Sequence, residues 1–295
     1  MPYINIDQKN IYYEIYGEGN ENTLLYFHGG PGASCLDYQD QAAELGKYLK
    51  VIIFDQYGVL RSDSISDGES YGMDAQLNQI EQMRQRLGIK DWNILGHSYG
   101  GMLAVRYSQK HPSSVKKIVL ECPSLWFQDS AKSIARYCEA YFCGINNKGA
   151  LLKCKNLYAK RIDDNNIMFD LLELLGCVDD AKVRNYLNNI SFEEYFAHCH
   201  TEHITDEMWQ KSSRHINCLI KDGKMFSNYM PILKTIHKPI LLINGRYDPV
   251  CSQNQIEYTV NEVDNLKHIW FESSGHCPHL EEFEKYTSCV VDFLL

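Results

Sequence analysis

Gly96-His97-Ser98-Tyr99-Gly100-Gly101 follows the apolar run Trp92-Asn93-Ile94-Leu95 and precedes a helical stretch, Met102 to Gln109. Strand, tight turn and helix in this order fit the G-x-S-x-G pattern of a nucleophile elbow. Bulky side chains at Gly96 or Gly100 would clash in so tight a turn. The pattern predicts a strained backbone at Ser98, held at the N-terminus of a helix. Backbone amides and the helix dipole there favour developing negative charge. The bland alternative is a strand-to-helix turn that happens to contain serine, and the flanking pattern argues against it.

Outward from the turn, short apolar runs alternate with helical patterns. Thr23 to Phe27, Val51 to Phe54, Val115 to Leu120, Ile240 to Ile243 and His268 to Phe271 read as strands. Gln76 to Leu87 carries Leu77, Ile80, Met83 and Leu87 near helical spacing. Such alternation predicts a mostly parallel sheet flanked by helices. At the start, Met1 to Asn5 reads as a strand, and Ile4, Ile6, Ile11, Tyr13 and Ile15 predict a hairpin ending at Gly17-Glu18-Gly19. The alternation breaks between Ser124 and Thr235, where helical patterns and aromatics dominate. The chain therefore divides into a catalytic domain, 1–123 and 236–295, and an inserted helical cap subdomain, 124–235.

A serine hydroxyl is a poor nucleophile until a base takes its proton. In an α/β-hydrolase fold the partners follow in the order Ser, Asp, His. Asp248 comes just after the strand Ile240 to Ile243, at a strand's C-terminal end, where catalytic groups collect in open α/β sheets. His276 follows the last strand in Ser273-Ser274-Gly275-His276, with a short acidic helix (Leu280 to Phe283) after it. His279 is its nearest rival; the glycine beside His276 suits a tight turn. Acyl transfer also needs donors aimed at the developing oxyanion. One is expected from the Tyr99 N–H, the other from His28-Gly29-Gly30-Pro31-Gly32, through the N–H of Gly30. Gly29 is a candidate substrate-binding position in the same loop.

The composition narrows the partners. The 295 residues carry a net charge of -9, and no Lys/Arg block stands out, which argues against a nucleic-acid partner. No apolar run is long enough to span a bilayer, and no charged-then-apolar segment opens the chain. Eleven scattered cysteines read as free thiols in a reducing cytoplasm. No dinucleotide or Walker-type phosphate motif is present, so no cofactor is implied. The expected partner is a small-molecule or short-peptide substrate.

The loop His28 to Gly32 and the elbow Gly96 to Gly101 together resemble the proline iminopeptidase family of α/β-hydrolases. Phe54-Asp55-Gln56-Tyr57-Gly58-Val59-Leu60-Arg61-Ser62 looks like a third motif of that family. Tyr57 stands where the family usually has Arg, and Tyr99 where many members have Trp. The resemblance covers the catalytic domain and is weak in the insertion. It implies release of an N-terminal residue, often proline, from short peptides. It also implies cap carboxylates that hold the substrate's ammonium. Glu194 and Glu202 are the candidates, within an acidic stretch (Ser191 to Glu207) without Lys or Arg. The competing reading of each is a solvated helix face. His198, His200 and His203 invite a metal reading, but H-x-H-x-x-H is no standard closed zinc set, and no metal is assigned.

The expected reaction is acyl transfer by a serine hydrolase, read first as an aminopeptidase for N-terminal proline or another small residue, with two alternatives. One is an esterase, lactonase or amidase of a small metabolite or natural product. The other is a non-catalytic binding protein of the same fold, against which the intact Ser, Asp and His argue. Dehalogenase and epoxide-hydrolase chemistry is disfavoured, since those relatives carry Asp at the elbow and this chain has Ser98.

Overall fold

Residues 3–160 and 166–295 are described by the computed structural model. Met1 and Pro2, part of the first expected strand, lie outside the described residues. The strands are β1 (Tyr3–Ile6), β2 (Lys9–Tyr16), β3 (Thr23–Phe27), β4 (Lys50–Phe54), β5 (Trp92–His97), β6 (Val115–Glu121), β7 (Ile240–Gly245) and β8 (Leu266–Phe271). They form one sheet in the order β1-β2-β4-β3-β5-β6-β7-β8. The hairpin β1–β2 turns at Asp7 and Gln8, both with positive φ, and β2 then runs antiparallel to β4. From β4 to β8 all pairings are parallel. Parallel neighbours need crossovers, and helices supply most of them.

The alternation within each strand sorts the core into two layers. Leu25, Phe27, Ile52, Ile94, Ile118 and Leu242 pack on one face with Met102 and Leu103. Leu24, Tyr26, Val51, Leu95, Val119 and Leu241 pack on the other, against Ala42, Tyr286 and Val290. With both faces covered, the central strands read as continuous apolar runs. The covering helices are α1 (Gln39–Leu45), α2 (Met73–Arg86) and α3 (Tyr99–Lys110), followed late in the chain by α11 (Gln253–Glu262), α12 (Pro278–Glu281) and α13 (Phe283–Leu294). The acidic helix expected over Leu280 to Phe283 is thus two helices, broken at Glu282, where φ is -131° and ψ is 57°.

Every described regular element between β6 and β7 is helical. The α-helices are α4 (Phe127–Gly144), α5 (Lys148–Ala159), α6 (Ile167–Leu175), α7 (Ala181–Arg184), α8 (Phe192–His198), α9 (Asp206–Asp222) and α10 (Met230–Leu233). Among the described residues no helix is long and apolar enough to cross a membrane. All eleven cysteines are unpaired.

Candidate active site

Ser98 sits between β5 and α3 with φ 55° and ψ -119°, a region closed to most side-chain-bearing residues. Close packing imposes that conformation. A Cβ on Gly96 would lie 2.3 Å from the Gly100 carbonyl oxygen, and one on Gly100 would lie 2.0 Å from that of Phe27. Helix α3 begins at Tyr99, so the Tyr99 N–H is one of the helix's unpartnered first donors.

Asp248 follows β7, and His276 follows β8. The structure brings them together: His276 Nδ1 lies 2.8 Å from Asp248 Oδ1. Asp248 also accepts the Val250 N–H at 2.8 Å and the Cys251 N–H at 3.1 Å. A carboxylate so held accepts a hydrogen bond from the Nδ1–H of a neutral imidazole and so leaves the lone pair on Nε2. Ser98 and His276 line the same cavity. The loop carrying His276 is braced by Glu281, whose buried carboxylate accepts the amides of Gly275 and Cys277 on one side and of Asn188 and Asn189 on the other.

His279, the rival base, is fully buried and bound to Glu121 through Nδ1 (2.8 Å) and its backbone N–H (3.0 Å). Glu121 also accepts from the Tyr286 hydroxyl, and His97 Nδ1 lies 3.5 Å from it. Burial pushes the Glu121 carboxyl up, and His279 and His97 more than reverse this, so it is held well below the usual range. The His97 ring packs 4.7 Å from the His276 ring, centroid to centroid. His279 therefore belongs to a buried polar cluster behind His276.

The cavity measures about 270 Å³. Its walls include Met102, Phe127, Ile134, Met168, Leu171, Leu172, Leu175, Ile216 and Val250. Its polar lining is Ser98, Tyr99, Ser124, Ser130, Tyr186 and His276, with Gly30 and Pro31 at one side. Among the described residues, no carboxylate, Lys or Arg lines it. Gly30 has φ 114°, and a Cβ there would press on the amides of Gly32 and Ala33 at 2.6 Å. Gly29 backs onto the elbow instead: a Cβ would meet Ser98 Cβ at 3.1 Å. Gly29 is not among the lining residues.

Glu194 and Glu202 are not brought to the cavity. Both are exposed. Glu194 accepts the Ser191 N–H at 2.7 Å while Ser191 Oγ accepts the Glu194 N–H, a capping box that turns the carboxylate onto its own helix. The S-x-x-E pattern at Ser191 to Glu194 was the signal for this role. Glu202 lies on a short exposed turn. Of the histidines weighed as metal ligands, His198 Nδ1 and His200 Nε2 both meet Asp40 of α1, at 2.6 and 2.9 Å. Ligand-type atoms converge within 4.8 Å at His97, Glu121 and His279, and at Cys122, Asp248 and His276.

Asp55 braces the segment that follows the glycine loop, at Ser34 and Cys35. Burial raises the Asp55 carboxyl, yet Arg61 beside it holds it below the usual range. Arg61 Nε reaches it at 2.7 Å, and the Ser34 hydroxyl and Cys35 N–H donate to it. Tyr57, in the usual Arg position, places its phenol oxygen 2.9 Å from the Ser64 carbonyl and 2.8 Å from Glu69. Sequence reading missed Tyr186, whose carbonyl accepts the His276 N–H at 2.9 Å and whose ring meets the His276 ring edge-on.

The strand order, the elbow and the strand-end Asp–His pair define the α/β-hydrolase class of fold. A family model for the alpha/beta hydrolase fold matches residues 22–283, and the chain belongs to that family. A proline iminopeptidase of Heyndrickxia coagulans is 26% identical over 302 aligned residues, covering 99% of this chain and 97% of its own. A second, from Saccharolobus solfataricus, is 29% identical, covering 97% and 89%. A solved meta-cleavage product hydrolase superposes with a TM-score of 0.69 at 20% identity, covering 99% and 96%.

Proposed function

We propose that this protein is a serine hydrolase that cleaves a small, uncharged, largely apolar ester or amide through an acyl-enzyme. Ser98 attacks the carbonyl while His276 takes its proton, and Asp248 holds the imidazole in the tautomer that can do so. The amides of Gly30 and Tyr99 stabilise the oxyanion. His276 then gives its proton to the leaving group, and water attacks the acyl-enzyme. Segment 124–235 acts as the cap: Phe127, Ile134, Met168, Leu171 and Ile216 come from it. No cofactor enters the reaction, and the unpaired cysteines fit a reducing cytoplasm.

The observation behind the substrate class is the cavity lining, where no described acidic side chain faces Ser98. A substrate ammonium buried there without a partner would cost several kcal/mol. A second reading, release of N-terminal proline or a small residue, is favoured by the proline iminopeptidases aligned along nearly the whole chain. A free-amine requirement separates the two.

Prolyl-, alanyl- and N-acetyl-prolyl-naphthylamide, beside a short-chain nitrophenyl ester, are to be assayed with wild type and Ser98→Ala. The expected result is Ser98-dependent cleavage of the ester and the N-acetyl amide, with free-amine amides at least about tenfold poorer. Ser98-dependent cleavage of free-amine amides only would establish the second reading. Normal turnover by folded Ser98→Ala would overturn both.

A further inference from the structure

A chain of buried hydrogen bonds runs from the Tyr99 side chain to the Gly29 carbonyl, beside the two amides assigned to the oxyanion. At one end the Tyr99 hydroxyl donates to Gln76 Oε1 at 2.8 Å. Gln76 Nε2 donates to Gln56 Oε1 at 2.9 Å and faces His215 Nε2 at 3.3 Å. Gln56 donates its side-chain amide to the His28 carbonyl at 3.3 Å and its backbone N–H to His28 Nε2 at 3.1 Å. His28 Nδ1 lies 3.0 Å from the Gly29 carbonyl.

Donors and acceptors match at Tyr99, Gln76, His215 and the His28 carbonyl; Gln56 Nε2 also lies 3.4 Å from His28 Nδ1, a contact of two donors that adds nothing to the chain. His28 Nε2 accepts from a backbone N–H, so its proton sits on Nδ1 and is donated to the Gly29 carbonyl. In the trans Gly29–Gly30 peptide the N–H of Gly30 points opposite to that carbonyl. Fixing the carbonyl therefore fixes the direction of the Gly30 N–H. His215 is held in the same tautomer: Nε2 accepts from Gln76, and Nδ1 donates to the Tyr57 carbonyl at 2.7 Å. Burial pushes its imidazole down to about 4, which agrees with a neutral ring.

His215 does not come from the catalytic domain. It lies on α9, in segment 124–235, and is fully buried. Its neighbour Ile216 lines the cavity and fills the space beside Gly32. Lys211 and Arg214 on the same helix donate to the carbonyls of Ser62 and Ile65.

We infer that Gln76, Gln56 and His215 are positioning residues, forming one hydrogen-bonded chain that aims the Gly30 donor, anchors the Tyr99 side chain and makes the seating of α9 a condition for catalysis. This inference rests on the serine-hydrolase reading above.

The test measures kcat and KM for a nitrophenyl ester in His215→Phe, Gln76→Met and the double variant. Beside these, it measures the inhibition constant of a trifluoromethyl ketone carrying the same acyl group. The ketone forms a tetrahedral adduct with the serine and needs the same donors. Each single variant should lower kcat about 10- to 100-fold, move KM less than about threefold and weaken the ketone in proportion to kcat. The double variant should be no worse than the poorer single, since one chain is broken once. Unchanged kcat, a loss confined to KM, or losses that multiply in the double would overturn the inference. If His215→Phe fails to fold, Gln76→Met decides by the same split between kcat and KM. Turnover that persists in Ser98→Ala overturns the hydrolase reading itself. Ser98-dependent turnover indifferent to both variants overturns only the positioning role.

Discussion

At His215, burial and partners ask for the same thing. Its imidazole is pushed down to about 4 by burial, and its Nε2 must stay unprotonated to accept the Gln76 amide N–H while Nδ1 donates to the Tyr57 carbonyl. An unfolded histidine titrates near its ordinary value of about 6.5. Above that pH both states are neutral and the contribution to stability is complete. As the pH falls, the unfolded chain takes up the proton first and stability is lost until about 4, up to roughly 3 kcal/mol. Asp55 and Glu121 are held low and stay ionised in the native protein through this window. Urea midpoints from pH 7 to 4.5 should therefore fall more steeply for wild type than for His215→Phe. Parallel falls would contradict the buried neutral ring. Ser98, Asp248 and His276 were legible in the sequence because each stands in a short local pattern at a strand end. Gln76, His215 and Tyr186 were not, since their partners lie far away in the chain, and Glu281 joins its own turn to the distant Asn188 and Asn189. Glu194 misled because acidic composition does not say which way a carboxylate turns.

The elbow is where one element constrains its neighbours most tightly. A Cβ added at Gly100 would sit 2.0 Å from the Phe27 carbonyl oxygen on β3, and backbone on a central strand has nowhere to move. Gly100→Ala should cost several kcal/mol and reduce labelling of Ser98 by a fluorophosphonate, read together with a lowered denaturant midpoint. An unchanged midpoint would contradict this packing. The strands around the elbow were readable because burial on both faces leaves them uniformly apolar. Element ends were harder. Helix α3 starts at Tyr99, three residues before the apolar pattern of Met102 to Gln109, because the turn itself is the first turn of helix. The break at Glu282 carries no Gly or Pro and was invisible.

At the scale of the molecule, a net charge of -9 coexists with a cavity lined by no described charged side chain other than, on protonation, His276. The acidic surface and the reaction site are separate things, so composition could not give the substrate. Apolar runs of strand length stop after β6 and resume at β7, and the described elements between them are helical. Which of the side chains in segment 124–235 face Ser98 depends on how the described helices of that segment pack, and local patterns do not encode that. The proposed reaction depends on Ser98 being a nucleophile activated by His276. Its most direct test is fluorophosphonate labelling followed by peptide mass mapping in wild type, Ser98→Ala and His276→Ala. The prediction is a single adduct on Ser98, absent in Ser98→Ala and much slower to form in a folded His276→Ala. An adduct on another residue, or ester turnover by a protein that takes no label, would contradict it.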